Sequence, residues 1–116
     1  PPHLHPELGP LSALLEAARA EARASGVPVY WQPSRTPEDS SRDFRFVGLP
    51  DTKHLPERWM NPEVRAEIYG AGALSLGPDP MIGAQRVTLL LGDRRLTLYT
   101  DGLQPFSLVA EPPRAP

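Results

Sequence analysis

The densest group of titratable side chains lies between residues 51 and 58. His54 stands within it, and a histidine titrates near neutral pH, so it can accept or release a proton when a carboxylate orients it. Asp51 and Glu57 are close enough in sequence to supply that carboxylate. The sequence therefore suggests one acid–base pair, His54 with Asp51 or Glu57, and with it the hypothesis of a small enzyme.

A simpler interpretation of the same segment is a charged loop held in place by a buried tryptophan, and we favour it. Trp59 directly follows Arg58, and a large aromatic side chain next to charged residues can anchor a solvated loop to the core. We therefore predict no catalytic residues. Arg58 and Trp59 remain candidates for contact with a binding partner.

Aromatic and arginine side chains also occur together around Trp31 and Arg45, which we add to the candidate partner-binding residues. Bases of single-stranded nucleic acid stack on such side chains. Residues 1–60 hold seven basic and eight acidic side chains, and residues 61–116 hold five and six, so each half carries a charge of −1. Since phosphate binding needs a positive field, we do not expect a nucleic-acid partner and keep single-stranded nucleic acid as an alternative function.

The sequence predicts no metal and no cofactor. It contains no cysteine, which excludes disulfides, thiolate zinc sites and cysteine nucleophiles. His3 and His5 could bind a metal together with Glu7, but nearby histidines on a terminal arm are more often solvated. Gly70 and Gly72 begin like a dinucleotide-binding loop, but the third glycine of that motif is missing.

The overall composition is that of one small globular domain. The chain has 116 residues, 40% of them hydrophobic, and a formal charge of −2. No apolar run reaches the roughly 18 to 20 residues that a membrane span needs, so we expect a cytoplasmic protein. Sixteen prolines, one asparagine and a strong excess of arginine over lysine are typical of a heat-adapted bacterium.

Residues 11–25 are predicted to form an amphipathic helix. Leu11, Leu15, Ala18 and Ala22 recur at steps of three and four, while Arg19 lies on the opposite side. The four prolines of residues 1–10 predict an extended arm before this helix, and those after residue 111 predict a frayed tail. The folded domain is therefore assigned to residues 11–110, between an arm at 1–10 and a tail at 111–116.

The strands follow from period-two patterns. Residues 27–32 and 43–48 each alternate and are predicted to pair as a loose hairpin across a polar loop. Asn61 and Pro62 resemble a helix start, which predicts a second short helix there with Val64 and Ile68 facing inward. Residues 73–76 are predicted as a short strand.

The last third predicts a tight hairpin. Residues 85–91 and 94–100 flank a two-residue turn, which pairs Leu91 with Arg94 and Leu89 with Leu96. A three-residue loop, 100–102, would then keep Phe106 on the apolar side, whereas a two-residue loop would turn it outward.

These elements predict an α+β fold with one antiparallel sheet of about four to six strands, the first helix packed on one face and a second short helix. The helix stripe and the apolar side of the late hairpin must cover each other. The absence of a catalytic or cofactor motif favours a non-catalytic binding or assembly module with a protein partner, and self-association as a homodimer is one form of it.

Overall fold

The computed structural model describes residues 4–34, 43–50 and 54–109. They form one helix and seven strands in the order α1 (His5–Ser25), β1 (Tyr30–Pro33), β2 (Phe44–Val47), β3 (Arg65–Ile68), β4 (Leu74–Ser75), β5 (Gln85–Leu91), β6 (Arg94–Thr100) and β7 (Ser107–Leu108). Both sheets are antiparallel, with the orders β2-β1-β4 and β3-β5-β6-β7. The α+β class is confirmed, with two sheets in place of one.

The helix α1 begins earlier than predicted, at His5, so residues 5–10 are helical and not part of an extended arm. Pro6 lies in the first turn, where a missing N–H costs no helical hydrogen bond. Pro10 removes one bond further along, but the buried Leu4 and Leu11 hold both ends of this segment in the core. The helix ends as predicted at Gly26, which has a φ of 72° and donates its N–H to the Ala22 carbonyl.

The predicted helix stripe is buried, and the same face also carries a charge. Arg19, expected on the exposed side, is only 4% exposed. Its guanidinium reaches the carbonyl oxygens of Pro80, Gly102 and Gln104, in two loops that follow β4 and β6. Because those loops lie against the helix, a position that looks exposed on the isolated helix becomes interior in the fold.

The hairpin of β5 and β6 has the predicted register, with Leu91 opposite Arg94 and Leu89 opposite Leu96. The loop after β6 is longer than predicted, because β7 begins only at Ser107 and leaves residues 101–106 between the strands. Tyr99 pairs with Ser107, so these two residues share the polar side, and Phe106, one residue before Ser107, lies on the apolar side and is 2% exposed, as predicted.

The second short helix was predicted wrongly. Asn61 Oδ1 accepts a hydrogen bond from the Glu63 N–H at 2.9 Å, which makes a local turn and not a helix cap. The chain then enters β3, which pairs with β5 along Arg65–Ile68. Val64 is buried and Ile68 half-buried, as predicted, but they alternate with exposed residues along a strand.

The β1–β2 hairpin is confirmed, with Trp31 opposite Phe46. The helix and both sheets share one hydrophobic core, so the helix stripe and the late hairpin cover each other as predicted. The largest buried side chains of this core are Trp31, Phe44, Phe106, Leu11, Leu15, Leu74, Leu76, Leu89 and Leu98.

Candidate functional site

Of the predicted acid–base residues, Glu57 lies in a segment that protects the edge of β2. Asp51 lies outside the described residues, and His54 is exposed. The Glu57 carbonyl oxygen accepts hydrogen bonds from the N–H groups of Asp43 and Phe44, at 2.8 and 3.2 Å. Its carboxylate accepts another from Phe46 N–H at 3.2 Å. Glu57 therefore satisfies backbone donors at the open side of β2, which is a structural task.

The two tryptophans that were predicted to contact a partner are core residues. Trp31 is fully buried and Trp59 is 7% exposed. Their rings pack with Phe44 at centroid distances of 5.5 and 4.7 Å, and the Trp59 N–H donates to Asp43 Oδ2 at 2.7 Å. The interpretation of Trp59 as a buried anchor for the charged loop is confirmed, and neither ring offers a free face to a partner.

The two arginines that were predicted to contact a partner lie at the surface. Arg45 is exposed on β2 and donates from Nε to Gln32 Oε1 on β1, at 3.0 Å. Arg58 is exposed in the segment before Trp59. The structure therefore does not gather Trp31, Arg45, Arg58 and Trp59 into one surface: the indoles lie inside and the guanidinium groups outside.

A different surface brings charged and aromatic side chains together. It is the side of the four-stranded sheet that faces away from the core. Strand residues alternate between the two faces, so the buried Val87 and Leu89 place Arg86 and Thr88 on the outer one. We call this outer surface the tyrosine–arginine face. Its members are Arg65, Glu67, Tyr69, Arg86, Arg95 and Tyr99.

The register arranges these side chains in rows across the strands. Tyr69 follows β3 and donates its N–H to the Arg86 carbonyl at 3.0 Å, while Tyr99 pairs with Arg86 from the other side. The Arg86 guanidinium carbon lies 5.9 Å from the centre of the Tyr69 ring and 5.8 Å from that of Tyr99. Arg86 is thus within cation–π range of both rings.

Both rings of this row remain accessible to different degrees. Tyr69 is 81% exposed and Tyr99 is half-buried. The next row pairs Glu67 with Thr88, whose hydroxyl lies 2.9 Å from that of Thr97. The row therefore combines exposed aromatic surface with a cation, beside hydroxyl groups that can bond to a ligand.

The tyrosine–arginine face is positive, although the chain as a whole is negative. Arg65 and Arg95 stand on either side of Leu90 in the third row, and with Arg86 they outnumber the single acid, Glu67. Arg65 donates to the neighbouring Val64 carbonyl at 3.3 Å. These arginines come from three separate strands, so their common position is not visible in the charge of either half of the sequence.

A cavity of about 410 Å³ lies beside the free edge of β3. The described residues that line it are Pro33, Ser34, Ala66, Glu67 and Ile68. Glu67 is the one carboxylate among them, so these lining residues do not form an acid–base pair.

Two buried charges serve the fold. Glu7, 3% exposed, accepts hydrogen bonds from the backbone N–H groups of Met60 and Asn61, at 3.0 and 2.8 Å. Arg19 ties the helix to two loops and also bonds Glu16 at 3.2 Å.

Within the described ranges no three acidic, histidine or cysteine side chains form a potential metal site. No helix in this part of the chain could cross a bilayer.

Sequence patterns contained part of this face. Alternation along the predicted hairpin puts Arg86, Arg95 and Tyr99 on the side opposite Leu89 and Leu96, but the wrong helix prediction hid Arg65 and Tyr69. The alternation of residues 64–69 was the signal that would have placed them on a strand.

No protein family matches the chain, and neither a curated protein nor a solved structure shows significant similarity to it.

Proposed function

We propose that the protein is a non-catalytic binding module that binds its partner through the tyrosine–arginine face. The row of Tyr69, Arg86 and Tyr99 is the observation that carries this proposal. Tyrosine and arginine are among the side chains that contribute most to binding energy at interfaces. Tyr69 is 81% exposed, so most of its ring is open to contact with a partner.

The charge of the face favours a partner that carries negative charge. Two copies related by a two-fold axis would bring Arg65, Arg86 and Arg95 of one copy close to the same residues of the other. Such like-charge contacts oppose association. Self-association therefore remains a prediction for another surface, such as the edge strand β7, where Leu108 is 45% exposed.

The enzyme alternative is tested separately. It requires His54, with Asp51 or Glu57 as the orienting carboxylate, to act as acid or base. A hydrolase or isomerase screen in which His54→Ala abolishes turnover by the wild-type protein would support it. The cytoplasmic location and the heat-adapted bacterial source also stay predictions.

Capture on immobilised protein tests the proposed binding surface. Wild-type protein, Arg86→Glu and the control Arg23→Glu, which changes an exposed arginine on α1, are each exposed to a lysate of the source cells. We expect the wild type and the control to retain the same protein or nucleic acid, and Arg86→Glu to lose it. Equal retention by all three proteins would show that binding does not use this face.

A further inference from the structure

We propose that the tyrosine–arginine face binds single-stranded nucleic acid; this inference rests on the proposed function, which assigns binding to that face. The sequence argued against nucleic acid because each half of the chain is slightly negative. The fold changes that argument, since β3, β5 and β6 bring three arginines and one glutamate to the same surface.

The tyrosine row supplies surfaces on which bases can stack. Exposed bases of a single strand stack on aromatic rings and on guanidinium planes. Tyr69 and Tyr99 stand on either side of Arg86, and the strands that hold them, β3 and β6, lie roughly 10 Å apart at the usual strand spacing. The row thus offers a ring, a guanidinium and a second ring in sequence, the most exposed of them at the open edge of the sheet.

The arginine row supplies charge for the phosphates. Arg65 and Arg95 lie four residues along the strands from the tyrosine row, or roughly 13 Å at the usual rise per residue. A strand stacked on Tyr69 can therefore extend towards them and pass the hydroxyl groups of Thr88 and Thr97 on the way. Phosphate contacts of this kind release counterions and make the affinity depend on salt.

Single-stranded nucleic acid fits this face better than the other anionic partners. A duplex keeps its bases stacked on each other, so the tyrosine rings would find no base faces. An acidic peptide would use the arginines and leave the rings without a role. Glu67 lies between the two rows, where its negative charge repels phosphate. Removing that charge should therefore strengthen the binding of nucleic acid, which gives a test with a defined direction.

Fluorescence anisotropy with labelled twelve-nucleotide probes, oligo-dT and oligo-U, tests the inference. We expect Tyr69→Ala to weaken binding at least about fivefold, while Tyr69→Phe keeps the ring and the affinity. The matched control is Tyr30→Ala, which removes an exposed tyrosine from the other sheet. Circular dichroism of each variant confirms that the fold is retained.

Charge variants give a second, independent readout. In a plot of log affinity against log salt concentration, Arg95→Gln should reduce the slope by about 0.7, because Arg95 is one of the two arginines assigned to the phosphates. Arg23→Gln on the helix should leave the slope unchanged, and Glu67→Gln should tighten binding.

Several outcomes would overturn the inference: no binding of either probe, equal affinity for duplex DNA or polyglutamate, or an equal loss in Tyr30→Ala. Failure of the proposed function looks different. If neither probe binds but Arg86→Glu still abolishes capture from lysate, the face binds another partner and only the nucleic-acid inference falls.

Discussion

The Glu57 carboxylate accepts a hydrogen bond from the backbone N–H of Phe46, with 3.2 Å between Oε2 and the nitrogen. Alternate residues of a strand present their N–H groups on the same side. Phe44 N–H, two residues earlier, donates to the Glu57 carbonyl oxygen. One residue therefore closes the open edge of β2 with both its main chain and its side chain, and joins the loop to the sheet.

This relationship predicts that Glu57 matters for stability. We expect Glu57→Ala to lower the free energy of unfolding by about 1–2 kcal/mol, because the Phe46 N–H loses a charged acceptor. Glu57→Gln keeps an oxygen in place and should lose less. Urea unfolding measures both, with His54→Ala as the exposed control that should stay within about 0.5 kcal/mol of wild type. Unchanged stability of Glu57→Ala would contradict the role assigned to it.

Glu7 is a buried clamp between the first turn of α1 and the segment after Trp59. Its carboxylate bonds two successive backbone N–H groups, those of Met60 and Asn61. We expect Glu7→Ala to lower the free energy of unfolding by about 3 kcal/mol, since two part-buried backbone donors lose a charged acceptor. Glu21→Ala, on the same helix but less buried, is the matched control in the same denaturant titration. A loss no greater than that of the control would rule out the clamp.

Arg19 holds two loops against the helix through three carbonyl oxygens. We expect Arg19→Met to cost about 3 kcal/mol, because those acceptors and Glu16 lose a charged donor in a buried site. Arg19→Lys should fall between it and wild type, since one ammonium cannot reproduce the spread of a guanidinium. Thermal and urea unfolding measure the effect, with the exposed Arg23→Met as control. Equal stability of Arg19→Lys and wild type would show that charge alone is enough.

The late hairpin could be predicted in detail because its information is local. A two-residue turn fixes the register, and the alternation of β5 and β6 then fixes which side is apolar. The loop after β6 shows the limit of this reasoning. Parity placed Phe106 correctly, but the loop length depends on hydrogen bonds from its own side chains, such as that of Thr100 with the Gly102 N–H.

Two other features depend on parts of the chain that are distant in sequence. Asn61 and Pro62 have the chemistry of a helix start, but pairing with β5 decides for a strand at Arg65. Arg19 looks exposed on the helix alone, because the carbonyl groups that it binds come from loops more than sixty residues away. The tyrosine–arginine face could be predicted only in part for the same reason: Tyr69 joins it only because β3 pairs with β5, which is distant in sequence.

Asp101 gives the fold a defined sensitivity to acid. Hydrogen bonds from the N–H groups of Gln104 and Leu103, both at 2.9 Å, hold the pKa of the Asp101 carboxyl below its ordinary value of 3.8. Since the pKa is lower in the folded state, the carboxylate adds stability that is present above pH 3.8 and is lost as the pH falls through the lowered value. Asp101→Asn has no such charge to lose. We therefore expect the melting temperature of wild type to fall more steeply below pH 3.8 than that of Asp101→Asn. Parallel curves for wild type and Asp101→Asn would contradict the prediction.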